Sequence, residues 1–122
     1  MPVPRITRED LKARIDAGSP PVIVDARLKY PYEHSSVQLP GAIRVGPDAT
    51  NLEAIPRGRD IVVYDSDPDE IVSAPITAAL VARGDNAMAL KGGIAEWLGA
   101  NFPSEPKGGA AAQTPAPASA AD

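Results

Sequence analysis

Three short apolar runs limit what this chain can become. They are Val22-Ile23-Val24, Ile61-Val62-Val63-Tyr64 and Ala87-Met88-Ala89-Leu90, each bounded by turn-forming or charged residues. Such runs are short for helices, and no polar residue alternates with the apolar ones, so each reads as a strand covered on both faces. Helical signals separate them. Thr7 precedes Arg8-Glu9-Asp10 as an N-cap with an acid three residues on, Leu11 and Ile15 with Ala13 and Ala17 give a stripe, and Gly18 supplies the stop. Ile76 to Arg83 is a second helical segment ending at Gly84, and Ile94 to Ala100 a third. Pro40-Gly41 marks a turn before a short strand, Ala42 to Val45. Strands alternating with helices predict an α/β fold, a parallel sheet flanked by helices on both faces.

With 122 residues and one set of patterns, running from Ile6 to Phe102, the chain has material for one domain. Aromatics are 4% of the residues, so Val, Ile, Leu and Ala must build the core. The expected division is a domain over 1–106 and a disordered Ala/Pro-rich tail over 107–122. That tail has almost no side chains large enough to offset its ordering entropy. A net charge of −4 argues against a nucleic-acid partner, which needs a basic footprint, and against an electrostatic membrane patch. No apolar run approaches the roughly 18 residues that a membrane span needs, and Met1-Pro2-Val3-Pro4-Arg5 lacks a signal-peptide core. A cytoplasmic location is therefore the expectation. The absence of cysteine excludes disulfides, thiolate metal sites and thiol catalysis.

In open parallel sheets, ligands bind beyond the carboxyl ends of the strands. Those ends are Asp25-Ala26-Arg27, Tyr64-Asp65-Ser66 and Leu90-Lys91-Gly92-Gly93. The candidate site loop is Asp65, Ser66, Asp67, Pro68, Asp69 and Glu70, and the flanking pocket is Asp25, Arg27, Lys91 and Gly92. A loop that joins a strand to a helix in this way directs backbone N–H groups inward as an anion cradle.

Four segments in order then resemble rhodanese domains: Asp25-Ala26-Arg27, Leu39-Pro40-Gly41-Ala42-Ile43, Ile61 to Tyr64 with its loop and helix, and Leu90-Lys91-Gly92-Gly93-Ile94-Ala95-Glu96-Trp97. The last is similar to the Leu-x-Gly-Gly-x-x-x-Trp that closes the domain. Pro68-Asp69-Glu70 with Ser73-Ala74 resembles a subgroup whose loop reads Cys-x-Cys-Pro-Asn-Glu. The resemblance implies a sulfurtransferase fold and places the family's persulfide-forming cysteine at Asp65 and its second loop cysteine at Asp67. A carboxylate forms no exchangeable persulfide, so the resemblance implies a domain without sulfur transfer, acting as a binding or regulatory module. The partner, a protein or small molecule, is unknown, and neither cofactor nor metal is expected. The family's Gly-His pair is missing, with Gln38 near the histidine position.

If Asp65 points inward, its carboxylate should accept bonds from N–H groups of residues 67–71 and plug the cradle. Pro75, which lacks an N–H, places the helix start near Ser73 or Ala74. The alternative is a hydrolase or phosphotransferase, possibly metal-dependent, using the acidic loop Asp65–Glu70. Asp65-Ser66-Asp67 resembles the Asp-x-Asp of haloacid-dehalogenase-type phosphatases, although Pro68 departs from that pattern, and an EF-hand fails because Glu70 stands where Gly is needed. Weak binding of a divalent cation is a further alternative for the acidic loop. For Asp69 and Glu70 the plainer reading is favourable placement near a helix N-terminus. For Arg27 it is a structural ion pair with Asp25 or a loop acid. His34, Tyr30 and Tyr32 fall in a loop, His34 as an exposed bystander and the tyrosines near the site mouth. Gly92-Gly93 serve a turn, and Trp97 fills the core.

Overall fold

The computed structural model describes residues 3–47, 52–67 and 69–107. Its central sheet contains β1 (Arg5–Ile6), β2 (Val22–Asp25), β4 (Ile43–Arg44), β5 (Ile61–Tyr64) and β6 (Ala87–Leu90). The order across the sheet is β1-β6-β5-β2-β4, and every pairing is parallel. A separate antiparallel pair joins β3 (Val37–Gln38) to β7 (Glu105–Pro106). The helices are α1 (Arg8–Asp16), α2 (Lys29–His34), α3 (Ser73–Arg83) and α4 (Gly93–Gly99).

The apolar runs form the sheet's interior because each strand must bury both faces. On β5, Val62 and Tyr64 pack with Leu11 of α1 and with Ile94 and Trp97 of α4 on one face. Ile61 and Val63 pack with Ile76 and Leu80 of α3 on the other. Helices thus cover both faces, as expected. Trp97 is buried, its ring meets Phe102 edge-on, and its indole N–H donates to Pro103 O at 2.7 Å.

Local signals set the helix limits. The Thr7 hydroxyl accepts the Asp10 N–H at 3.1 Å, satisfying one orphan donor of the first turn. Helix α3 begins at Ser73, so Pro75 stands in the first turn, where a missing N–H costs nothing. It ends where Gly84 takes the left-handed conformation, φ 102°, and the Gly84 and Asp85 amides close back onto Val81 and Leu80.

Three expectations change. Tyr30, Tyr32 and His34 lie in a helix, α2, rather than a loop; it buries none of its residues, and His34 is exposed at its end. Strand β4 is shorter than the Ala42–Val45 run. The third helical segment starts one residue early, at Gly93. Lys107 is held, its amide donating to Ser36 O at 3.0 Å and its ammonium to Tyr32 O at 2.6 Å. The rest of the expected tail, 108–122, lies outside the described residues, as does Pro68.

Leu80 is fully buried on α3, whereas its neighbour Val81 is 44% exposed. Leu80→Ala is expected to cost about 2–5 kcal/mol, and Val81→Ala about 0.5 kcal/mol or less. Urea titration of both variants checks the contrast.

Candidate functional site

The carboxyl ends of β2, β5 and β6 gather the sequence-predicted residues at one end of the sheet. Asp65 follows β5 directly and is fully buried. One carboxylate oxygen accepts the Asp67 N–H at 2.9 Å; the other accepts the N–H groups of Val72 at 2.9 Å and Ser73 at 2.6 Å. Two of these donors lie beyond the expected residues 67–71, because the helix starts at Ser73 and its first amides face back into the loop. The side chain therefore occupies the anion position of the cradle. Burial pushes the Asp65 carboxyl above its ordinary value, and the Ser73, Asp67 and Val72 amides pull against that shift.

The loop is closed from the other side by the turn after β6. Ile94 N–H donates to Asp65 O at 2.9 Å. Gly93, at φ 64°, lies so close that a Cβ there would stand 2.5 Å from the same oxygen. Only glycine permits this approach.

Glu70 corrects the helix-terminus expectation. It is 3% exposed and adopts a left-handed φ of 56°. Its carboxylate accepts the Gly92 N–H at 3.0 Å and Arg5 Nε at 2.5 Å. It thus joins the site loop to the β6–α4 turn and to β1. Neither Arg5 nor this role was visible in the sequence, since the partners stand 65 and 22 positions away. Asp67 folds onto its own loop, accepting the Asp69 N–H at 2.7 Å. Ser66 is half-buried and Asp69 exposed.

Asp25 and Arg27 pair with each other, at 2.7 Å, and both are buried. Tyr64 Oη also donates to Asp25, at 3.0 Å, and Arg27 donates onward to Val37 O at 3.2 Å. Burial works to lower the Arg27 pKa, but the bonds and charge of Asp25 hold it raised. Burial, and then the Asp25 charge, push the Tyr64 phenol well up. Around this pair, the Tyr32 ring carries the Arg44 guanidinium at 3.9 Å and the Lys107 ammonium at 4.3 Å. Gln38 is buried and donates to Glu105 at 2.8 Å.

Asp25 and Arg27 do not line the cleft beside the loop. That cleft, about 450 Å³, is bordered by Arg5, Arg8, Glu9, Asp69, Lys91 and Glu96, with Thr7 and Gly92 beneath. Arg8 and Glu96 are a pair that sequence reasoning missed, bonded across the cleft between α1 and α4. Among the described residues, no group of three or more His, Cys, Asp or Glu is placed to hold a metal ion. No helix among them is long and apolar enough to cross a membrane.

Asp65→Asn keeps the shape but replaces one acceptor oxygen with an amide that faces a donor. The expected cost near neutral pH is about 1–3 kcal/mol, read by urea titration. A carboxyl with a raised folded pKa favours the fold most below its unfolded value of about 3.9. That contribution is lost as pH rises through the folded value. The advantage of the native residue over Asn should therefore shrink as pH rises from 4, as a pH series of the same titrations would record.

The family model for the rhodanese-like domain matches residues 7–100. The fold superposes on the full-length protein from Lactobacillus plantarum with a TM-score of 0.75 at 24% identity, covering 84% of this chain and 87% of that one. It also superposes on a rhodanese-like domain protein from Staphylococcus aureus, with a TM-score of 0.66 at 25% identity over 77% of this chain and 90% of that one. A thiosulfate sulfurtransferase from Pseudomonas aeruginosa gives a TM-score of 0.66 at 21% identity, with 84% of this chain covering 19% of that one. No curated protein matches the chain significantly. By its matched residues and its parallel sheet, the chain belongs to the rhodanese-like domain family, as a member without cysteine.

Proposed function

We propose that this chain is a binding or regulatory module of the rhodanese-like family that carries out no sulfur transfer. The observation behind this reading is the buried Asp65 carboxylate, which holds three backbone N–H groups at the position the resemblance gives to the nucleophile. In the family's mechanism a thiolate takes a sulfur atom from a donor as a persulfide and passes it to an acceptor, and the cradle's N–H groups stabilise the anion. Here those N–H groups are already occupied, and oxygen provides no exchangeable persulfide. The exposed Asp69 and half-buried Asp67 beside the loop also repel an anionic sulfur donor. The cytoplasm is its proposed location.

The acid-based alternative is weaker on the same observation. A nucleophilic or metal-binding Asp65 needs its carboxylate facing substrate, whereas both of its oxygens are directed into the loop's own amides.

A thiosulfate:cyanide sulfurtransferase assay on purified protein tests the proposal directly. The expected rate is that of a heat-denatured control, and turnover above it would overturn the reading. Asp65→Cys is expected not to recover normal activity, because Asp67, Asp69 and the Ser73 helix start remain. Ready sulfur transfer by that single variant would show that the loop had kept its competence.

A further inference from the structure

We propose that the cleft beside the filled cradle binds a small zwitterion of dipeptide size, its carboxylate toward Lys91 and its ammonium toward Asp69. The inference rests on reading the domain as a binding module. It draws on charges outside the Asp65 cradle.

The cleft's borders carry three cations, Arg5, Arg8 and Lys91, and three acids, Glu9, Asp69 and Glu96. Most are already committed. Arg8 pairs with both Glu9 and Glu96, and Arg5 binds the buried Glu70. Lys91 and Asp69 form no direct ion pair among the described residues, although the Lys91 charge also acts on Glu9 at longer range, and both border the same cleft. Each stands on a fixed support. The Lys91 amide is bonded to Ile6 O at 2.9 Å, which holds it at the end of β6. The Asp69 amide is bonded to Asp67, in the loop that Asp65 clamps.

Two charges of opposite sign, without a direct partner among the described residues, select by simple arithmetic. A lone anion gains Lys91 but meets Asp69 and the two glutamates, and a lone cation meets the reverse. A ligand with both charges gains both contacts. The volume, about 450 Å³, falls within the range of small-ligand sites. A second hollow of about 320 Å³ shares Arg5 and Asp69 with it and is lined also by Val3, Glu70 and Ala74. Val3 and Ala74 in that mixed lining leave room for a short aliphatic side chain on the ligand, so dialanine is a fitting probe. Exposed charge pairs contribute little in water, so the dissociation constant should be on the order of 1 mM.

Titration of the intact, isotope-labelled chain with dialanine, followed by amide NMR, is the test. Saturable shifts are expected at Asp69, Lys91 and Gly92. N-acetyl-dialanine and dialanine amide, each lacking one charge, should bind several-fold more weakly. Lys91→Gln should weaken dialanine without weakening dialanine amide; Asp69→Asn should weaken dialanine without weakening the acetylated peptide. Equal binding of the free and blocked peptides would overturn the zwitterion proposal, as would no saturable shift with any of them. If that happens while the sulfurtransferase assay stays silent, the binding-module reading stands and this inference alone falls. Turnover of thiosulfate would instead remove the reading on which it rests.

Discussion

Buried carboxylates organise the functional end of this domain. Asp25, Asp65 and Glu70 are each almost wholly removed from solvent at the carboxyl end of the sheet. A buried negative charge is costly unless it is paired and hydrogen-bonded, and each of the three is met differently. Asp25 has the Arg27 guanidinium and the Tyr64 hydroxyl, Asp65 has three backbone amides, and Glu70 has one amide and Arg5. Between them they connect β1, β2, β5, the β6–α4 turn and the start of α3. The loop's shape is therefore a consequence of satisfying these acids, and the space left for a ligand is whatever the satisfied loop leaves open.

This arrangement gives the missing cysteine a physical meaning. Replacing a nucleophile with a small apolar residue would leave the cradle's amides without an acceptor, which is costly in a buried setting. A carboxylate accepts all three and stabilises the loop. The family's scaffold is thus kept intact around a centre that holds its own anion. What remains accessible is the neighbouring cleft, whose rim charges nearly cancel.

Much of the fold was legible in the sequence, and the illegible parts share a cause. Strands β2, β5 and β6 were readable because their apolar runs have no competing period, and α1 and α3 because Thr7 and Gly84 bound them. The two-residue strands β1, β3 and β7 are too short to carry a period at all. Helix α2 contains Pro31 and buries nothing, so no apolar stripe marks it. Within the site, Asp65 was legible from its place after β5, and Arg27 as one half of an ion pair whose partner, Asp25 or a loop acid, the structure decides. The role of Glu70 was hidden: nothing local distinguishes an acid that caps a helix from one that turns inward to a distant arginine.

The position of β1 has a consequence for how the domain assembles. β1 is an edge strand that pairs only with β6, the last strand of the sheet to emerge in sequence. Closing so long a loop is entropically unfavourable, and its contacts reward the chain only once the intervening sheet is in place. Arg5, the partner of Glu70, travels with that strand. The site loop is therefore expected to acquire its outer fastening after the inner one at Asp65, whose donors all lie within eight positions of it. The cleft, which has Arg5 on one wall, depends on that long-range pairing.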